Sequence, residues 1–107
     1  MSEYKFVSLK KSDKEDKKYM VTFENRQNKR TKTIYFGASG YEDYTMHKDK
    51  DRKDNYLKRH KGMGEDWTED GIMTSGYWSR WLLWSKPDFK DALKLVMGKL
   101  KKAGYLT

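Results

Sequence analysis

The sequence lacks cysteine entirely and contains a single proline among its 107 residues. The absence of cysteine excludes a disulfide framework, a thiol nucleophile and cysteine-ligated zinc or iron–sulfur sites. Long apolar runs are also missing, because no stretch approaches the roughly 20 apolar residues of a membrane-spanning helix. The start of the chain, MSEYKFVSLKKSDKEDKK, holds no signal-peptide core. We therefore expect an intracellular protein of a reducing compartment that has no membrane span and is not secreted.

Apolar residues are scarce, but aromatic residues are not. The hydrophobic fraction is 36% and the charged fraction 37%, a balance that by itself favours disorder. However, the chain contains 4 Phe, 4 Trp and 8 Tyr, and each aromatic side chain can bury about 150–250 Å². We therefore predict one folded domain over residues 1–107, with a small aromatic core.

The first part of the chain alternates apolar and polar residues with the period of a β-strand. Strands are predicted at Tyr4–Leu9, Tyr19–Glu24 and Thr31–Phe36. The polar run Asn25–Arg30 predicts a turn, and Gly37–Gly40 predicts the end of the third strand. Strict alternation places Leu9 on the face opposite Tyr4 and Phe6. Residues 3–37 are thus predicted to form a three-stranded antiparallel meander.

Residues 41–107 have the spacing of helices. Helices are predicted at Asp49–Lys61, Tyr77–Trp84 and from Phe89 to near Gly104. Ser85 has the position of an N-cap before the last helix, and Glu65–Gly76 reads as an ordered loop. The predicted fold is α+β, with the meander followed by two or three helices packed on one face of the sheet.

Three tryptophans recur at near-helical spacing in the segment Tyr77–Trp84. Such residues usually belong to a core, whereas the alternative is a platform on which nucleic-acid bases stack. Leu82 and Leu83 make the same segment apolar on nearly every side. This pattern favours burial, or contact with a partner protein, over exposed stacking.

Motifs for catalysis or cofactor binding are weak. The loop Gly37–Gly40 lacks the Gly-Lys-Ser/Thr ending of a phosphate-binding P-loop, and neither Ser75 nor Ser79 stands in a Gly-x-Ser-x-Gly context. Two sets could be drawn as metal or acid–base sites, namely His47 with Asp49 and Asp51, and His60 with Asp66 and Asp70. Their spacing matches no ligand motif, so we predict no enzyme, no metal and no cofactor.

Positive charge dominates, with 24 Lys and Arg against 16 Asp and Glu and a net charge of +8. A surplus of this sign favours polyanionic partners, although a lysine-rich surface often serves only to keep a protein in solution. Two clusters are candidate phosphate sites. The first, at the tip of the predicted hairpin, comprises Arg26, Lys29, Arg30 and Lys32. The second, on the predicted helix Asp49–Lys61, comprises Arg52, Lys53, Lys58, Arg59, His60 and Lys61.

Several segments resemble a family of small uncharacterised basic proteins of giant, nucleocytoplasmic-type DNA viruses. They are residues 43–49 (DYTMHKD), 59–61 (RHK), 65–68 (EDWT) and 78–84 (WSRWLLW). We expect DNA as a partner ahead of RNA and the virus particle as a further location. The resemblance itself implies a virus-encoded protein made in an infected host cell. It implies no mechanism.

Two functions are therefore expected from the sequence. The first is a non-enzymatic protein that binds nucleic-acid phosphates without reading base sequence. The second is a minor capsid or cement protein that bridges acidic capsid subunits through a surface of aromatic residues and arginine. Burial of the tryptophans within the monomer would remove the best contact residues of the second. The oligomeric state is left open.

Overall fold

The first three elements form an antiparallel sheet in the order β1–β2–β3. The computed structural model describes residues 2–106. The strands are β1 (Tyr4–Lys11), β2 (Lys17–Asn25) and β3 (Thr31–Ala38). The predicted meander and the α+β class are confirmed. Asn25 organises the β2–β3 turn, because its side-chain oxygen accepts the backbone N–H groups of Gln27 and Asn28.

The alternation predicted for β1 is wrong at Leu9. The register of β1 shifts between Phe6 and Ser8, and a bulge there leaves Val7 unpaired and 48% exposed. The extra residue brings Leu9 back to the face of Tyr4 and Phe6, so all three pack against the core. A bulge leaves no signature in this sequence that alternation could detect.

Strand β3 also differs from its prediction, because it continues through Gly37 to Ala38. Gly37 has φ of +78°, and a Cβ built there would lie 2.8 Å from a methyl carbon of Leu83. A glycine is needed here for both the backbone conformation and the close contact. The glycine that predicted a strand end instead lets the strand pass under a helix.

The chain after the sheet contains four α-helices, a 3₁₀ turn and a π-helix. They are α1 (Tyr44–His47), α2 (Lys50–Gly62), the 3₁₀ turn Glu69–Gly71, α3 (Ser75–Trp78), the π-helix Ser79–Leu83 and α4 (Phe89–Lys102). The short helix α1 was not predicted. The N-cap of α4 is Asp88, which accepts the N–H of Lys90, and not Ser85 as predicted.

The core lies between one face of the sheet and the helices α3 and α4 with the π-helix. Trp78 is its centre: the side chain is fully buried, its ring lies 5.7 Å from Phe36 and 6.2 Å from Phe23, and its indole N–H donates to the carbonyl of Ile72. Helix α4 contributes Ala92, Val96 and Leu100, which are all fully buried. Within residues 2–106 no helix is long and apolar enough to cross a membrane.

The predicted helix Tyr77–Trp84 changes its hydrogen bonding after its first turn. Helix α3 ends at Trp78 and the next five residues form a π-helix, a wider turn that occurs often at functional sites. The wider turn separates the three tryptophans: Trp78 is fully buried, whereas Trp81 and Trp84 are partly buried at the edge of the core. Of the three tryptophans predicted to lie in the core, only Trp78 is fully buried.

Candidate functional site

A cleft of about 620 Å³ opens between helix α2 and the end of the sheet where β2 begins and β3 ends. Its size falls within the roughly 300–1,000 Å³ of sites that take small ligands. One wall is α2, with Arg52, Asn55 and Arg59. The opposite wall contains Lys17, Lys18, the backbone of Gly37 and Ala38, and the segment Tyr41–Asp43.

Helix α2 is held over the cleft by a stack of rings. Tyr56 is the only buried residue of α2. Its ring lies 4.1 Å from Trp84, nearly parallel at 4°, and 4.0 Å from His60 at 26°. The two neighbours therefore occupy the two faces of Tyr56. Burial raises the pKa of Tyr56 well above its ordinary value, and the negative charge of Glu65 adds to the rise.

The π-helix makes this stack possible. At regular α-helical spacing Trp84 would lie above Trp81 and Tyr77, facing the core. After the wider turn, Trp84 lies against α2 instead. Its ring stacks on Tyr56 and lies 5.3 Å from the ring of His47. One irregular turn thus connects the aromatic core to the wall of the cleft.

Two ion pairs and one histidine–carboxylate hydrogen bond engage the three carboxylates that line the cleft. Lys18 Nζ lies 2.7 Å from the buried carboxylate of Asp43, Arg52 Nη1 lies 3.2 Å from Glu42, and His60 Nδ1 lies 2.7 Å from Glu65. The second carboxylate oxygen of Asp43 accepts the backbone N–H and the hydroxyl of Thr45. Asp43 is therefore fully engaged in the structure and is no free base.

Two cations at the cleft have no such partner. Arg59 is exposed, and neither Arg59 nor Lys17 forms an ion pair with any carboxylate of residues 2–106. Both line the cleft, Arg59 from α2 and Lys17 from the start of β2. The cleft thus has an excess of positive charge at its walls, where an anion can be bound between two chain segments.

A second group of cations lies beyond the cleft, on the side of α2 toward the π-helix. Lys53 donates to the carbonyl of Ser85 at 3.0 Å, and Arg80 donates to that of Trp84 at 3.1 Å. Burial lowers the pKa of Lys53, and repulsion from Arg80 and Lys86 lowers it further. These cations bind neutral carbonyls, so their charges are not neutralised, and the buried Nε of Arg80 has no hydrogen-bond partner within residues 2–106.

The structure separates the two basic clusters predicted from the sequence. Arg52, Arg59 and His60 line the cleft, at the end of the sheet where Lys17 pairs with Ala38. The hairpin tip lies at the other end, which the rise per residue places about 26 Å away along β2. One continuous track of phosphates over a short distance therefore cannot include both clusters.

Members of each cluster also differ in what they contact. Arg26 donates from Nε to the carbonyl of Ser2 at 2.8 Å and from Nη2 to that of Gly104 at 2.9 Å, which ties the hairpin to both ends of the chain. Lys29 lies in the left-handed region with φ of 64°. The remaining members of the two predicted clusters are exposed and outside the cleft lining: Arg30, Lys32, Lys58 and Lys61.

The candidate metal and acid–base sets are not assembled. In the described part of the chain, no three His, Asp or Glu side chains lie close enough together to hold a metal ion. His47 accepts the N–H of Asp49 through Nδ1 and packs on Trp84, whereas His60 pairs with Glu65. Ser79 lines the cleft beside Tyr56 with no histidine partner in its hydrogen bonds.

Sequence reasoning missed the wall of the cleft formed by the sheet and the following segment. Lys17 and Lys18 were placed in neither basic cluster, and the segment Tyr41–Asp43 received no role in binding. Tyr41 is 74% exposed at the cleft. A tyrosine next to two acids after Gly40 was the available signal, but nothing in the sequence placed it opposite α2.

The fold and the cleft together define a small basic α+β protein with a mixed polar and aromatic cleft. The chain matches the family described as a family of unknown function (DUF5754) over residues 7–60. Because the match covers just over half of its length, the chain belongs to this family. The matched segment includes the sheet from Val7 onward and helix α2 as far as His60, and so most of the cleft. No curated protein and no solved structure matches the chain.

Proposed function

We propose that this protein is a non-enzymatic nucleic-acid-binding protein that contacts phosphates through the cleft side of α2 without reading base sequence. The observation that carries the proposal is the pair Arg59 and Lys17, two cations that line the same cleft without an ion-pair partner among residues 2–106. Arginine and lysine in this position are suited to phosphate oxygens. The cations around Lys53 add a positive field on the other side of the same helix.

The proposal also includes the location of the protein and the kind of nucleic acid that it binds. The resemblance of residues 43–49 and 78–84 to proteins of giant DNA viruses supports an intracellular role in infected cells or the virus particle, with DNA favoured over RNA. The capsid alternative has less support, because Trp78 is fully buried within the monomer and Trp84 is stacked on Tyr56. These tryptophans are not available as contact residues for another subunit.

The test is a titration of the purified protein with a random duplex of about 30 base pairs over a series of salt concentrations, read by fluorescence anisotropy. We expect affinity to fall steeply with salt, because bound cations release counterions from the phosphates. Replacing Arg59 and Lys17 together by alanine should lower the affinity and reduce the magnitude of the logarithmic salt slope by about 2, one for each cation.

Two controls make the test specific to the cleft. Lys94→Ala removes one charge from an exposed position of α4 outside the cleft and should leave affinity nearly unchanged. A Lys29→Ala/Arg30→Ala variant removes two charges from the hairpin tip, as many as the Arg59/Lys17 variant removes from the cleft. It tests whether the hairpin cluster contributes separately to binding. Absence of binding by the wild type at low salt would refute the function, since electrostatic attraction is strongest there. A loss with the hairpin variant alone would move the site to the hairpin.

A further inference from the structure

We propose that the cleft takes one unpaired nucleotide of a single strand, with its base stacked on Tyr41 and its phosphate between Arg59 and Lys17. This inference rests on the proposed function, which it narrows from nucleic acid in general to single strands. Two features of the cleft carry it, a ring with a free face and cations in the same lining, together with the general point that a paired base cannot stack on such a ring.

The free ring belongs to Tyr41. Tyr56 has both faces covered by His60 and Trp84, and Phe36 is buried against Tyr19 and Trp78. Tyr41 has no ring neighbour among the described residues, and 74% of its surface is exposed. A large exposed aromatic side chain beside a cleft is a stacking surface for a base, since every base has a π face.

The cations are placed to hold the attached backbone. Arg59 and Lys17 line the same cleft as Tyr41, and neither is neutralised by a described carboxylate. Aromatic rings for bases combined with cations for phosphates are the usual features of single-strand binding. Asn55 adds an amide on the wall of α2, a group that can donate to and accept from the edge of an unpaired base.

Stacking on Tyr41 selects against a duplex. In a double helix both faces of a base are covered by its neighbours, so a base reaches a ring in a cleft only after it is unstacked. Unstacking costs a few kcal/mol for a paired base and least for one that is already single-stranded. A duplex can still bind to the exposed cations, but it cannot use Tyr41.

The experiment compares a single-stranded oligonucleotide of about ten thymidines with a duplex of the same length, at one low salt concentration. We expect the single strand to bind at least about 10-fold more tightly than the duplex. Tyr41→Ala should weaken single-strand binding by about 5- to 150-fold and leave duplex binding unchanged. Tyr41→Phe keeps the ring and should bind like the wild type.

Met63→Ala is the matched control, because Met63 is a similarly exposed apolar residue, 67% exposed, at the far end of α2. It should change neither affinity. Equal affinities for single strand and duplex, both insensitive to Tyr41→Ala, would overturn this inference while the proposed function stands. Absence of binding to either nucleic acid would overturn both. Truncation of an exposed ring does not threaten the fold, and circular dichroism of each variant verifies this.

Discussion

The two sides of this molecule are stabilised by different interactions. Around Trp78, the sheet and α4 bury aromatic and aliphatic side chains on every side, and the residues at the centre are fully excluded from solvent. Helix α2 buries one side chain, Tyr56, and is otherwise held by the Arg52–Glu42 ion pair, the His60–Glu65 hydrogen bond and the hydrogen bond from Lys53 to the carbonyl of Ser85. The cleft lies along the second region. Binding sites commonly lie in such regions of lower local stability, where side chains can adjust to a ligand.

The largest effect is expected from truncating the core at its centre. Trp78→Ala should cost about 3–5 kcal/mol of unfolding free energy, since it removes a large buried ring and leaves a cavity among aromatic side chains. Urea denaturation followed by circular dichroism measures the loss. A Trp78→Ala variant as stable as the wild type would show that the core is not organised around this residue.

The corresponding change in the second region is Tyr56→Ala. It should cost about 1.5–3 kcal/mol locally through lost burial, to which the two ring contacts add, and release α2 from the stack. We expect the amide protons of α2 to lose protection from hydrogen exchange while those of β2 keep theirs. Tyr41→Ala removes a ring that contributes little to the fold and serves as the control. Equal loss of protection in α2 and β2 would show that the two regions unfold as one unit.

Alkaline pH should act mainly on the buried phenols. Burial raises the pKa of Tyr77 to about 12, above the value of about 10 for the unfolded chain. The unfolded state therefore loses its proton first, so the stability from this group is complete below pH 10 and is lost as pH rises toward 12. The loss amounts to about 2 kcal/mol at pH 12. Tyr77→Phe removes the ionisable group, and its urea midpoint should fall less between pH 9 and pH 11 than that of the wild type.

The smallest effects compare one helix cap in each region. Asp49 caps α2 by accepting the N–H groups of Asp51 and Arg52, and Asp88 caps α4 by accepting that of Lys90. Replacing either aspartate by alanine should cost about 1 kcal/mol. Because α4 is packed into the core, Asp88→Ala should lower the global unfolding free energy. Asp49→Ala should instead increase hydrogen exchange at the start of α2, with little change in the melting temperature. The opposite pattern would contradict the division into two regions.

The strands were predictable because a strand with one buried face has alternating apolar and polar residues. The position of Leu9 was not, since a bulge shifts the register by one residue without a change in composition. Helix α4 was predictable from its apolar stripe. The π-helix was not, because apolar residues on nearly every side of Ser79–Leu83 fit an α-helix equally well.

The candidate site was predictable in part. Arg52, Arg59 and His60 were identified on one helix from their spacing, and they do line one cleft. Lys17 and Tyr41 could not be assigned to the cleft from the sequence, because both precede α2 in the chain. The pairing of Lys17 with Ala38 at the end of β3 brings the start of β2 close to the segment that contains Tyr41. The separation of the hairpin tip from α2 also depends on the length of the strands and the direction in which the chain leaves them.

The sequence by itself determined that the core would be small and aromatic, that the first part would form a meander, and that the chain would carry an excess of positive charge. These properties follow from composition and local periodicity, which do not depend on distant contacts. Only the tertiary structure decided which cations remain without a carboxylate partner. Pairing between side chains such as Lys18 and Asp43, 25 positions apart, depends on how the sheet and the helices meet. Those contacts leave Arg59 and Lys17, which line one cleft, without an ion-pair partner among residues 2–106.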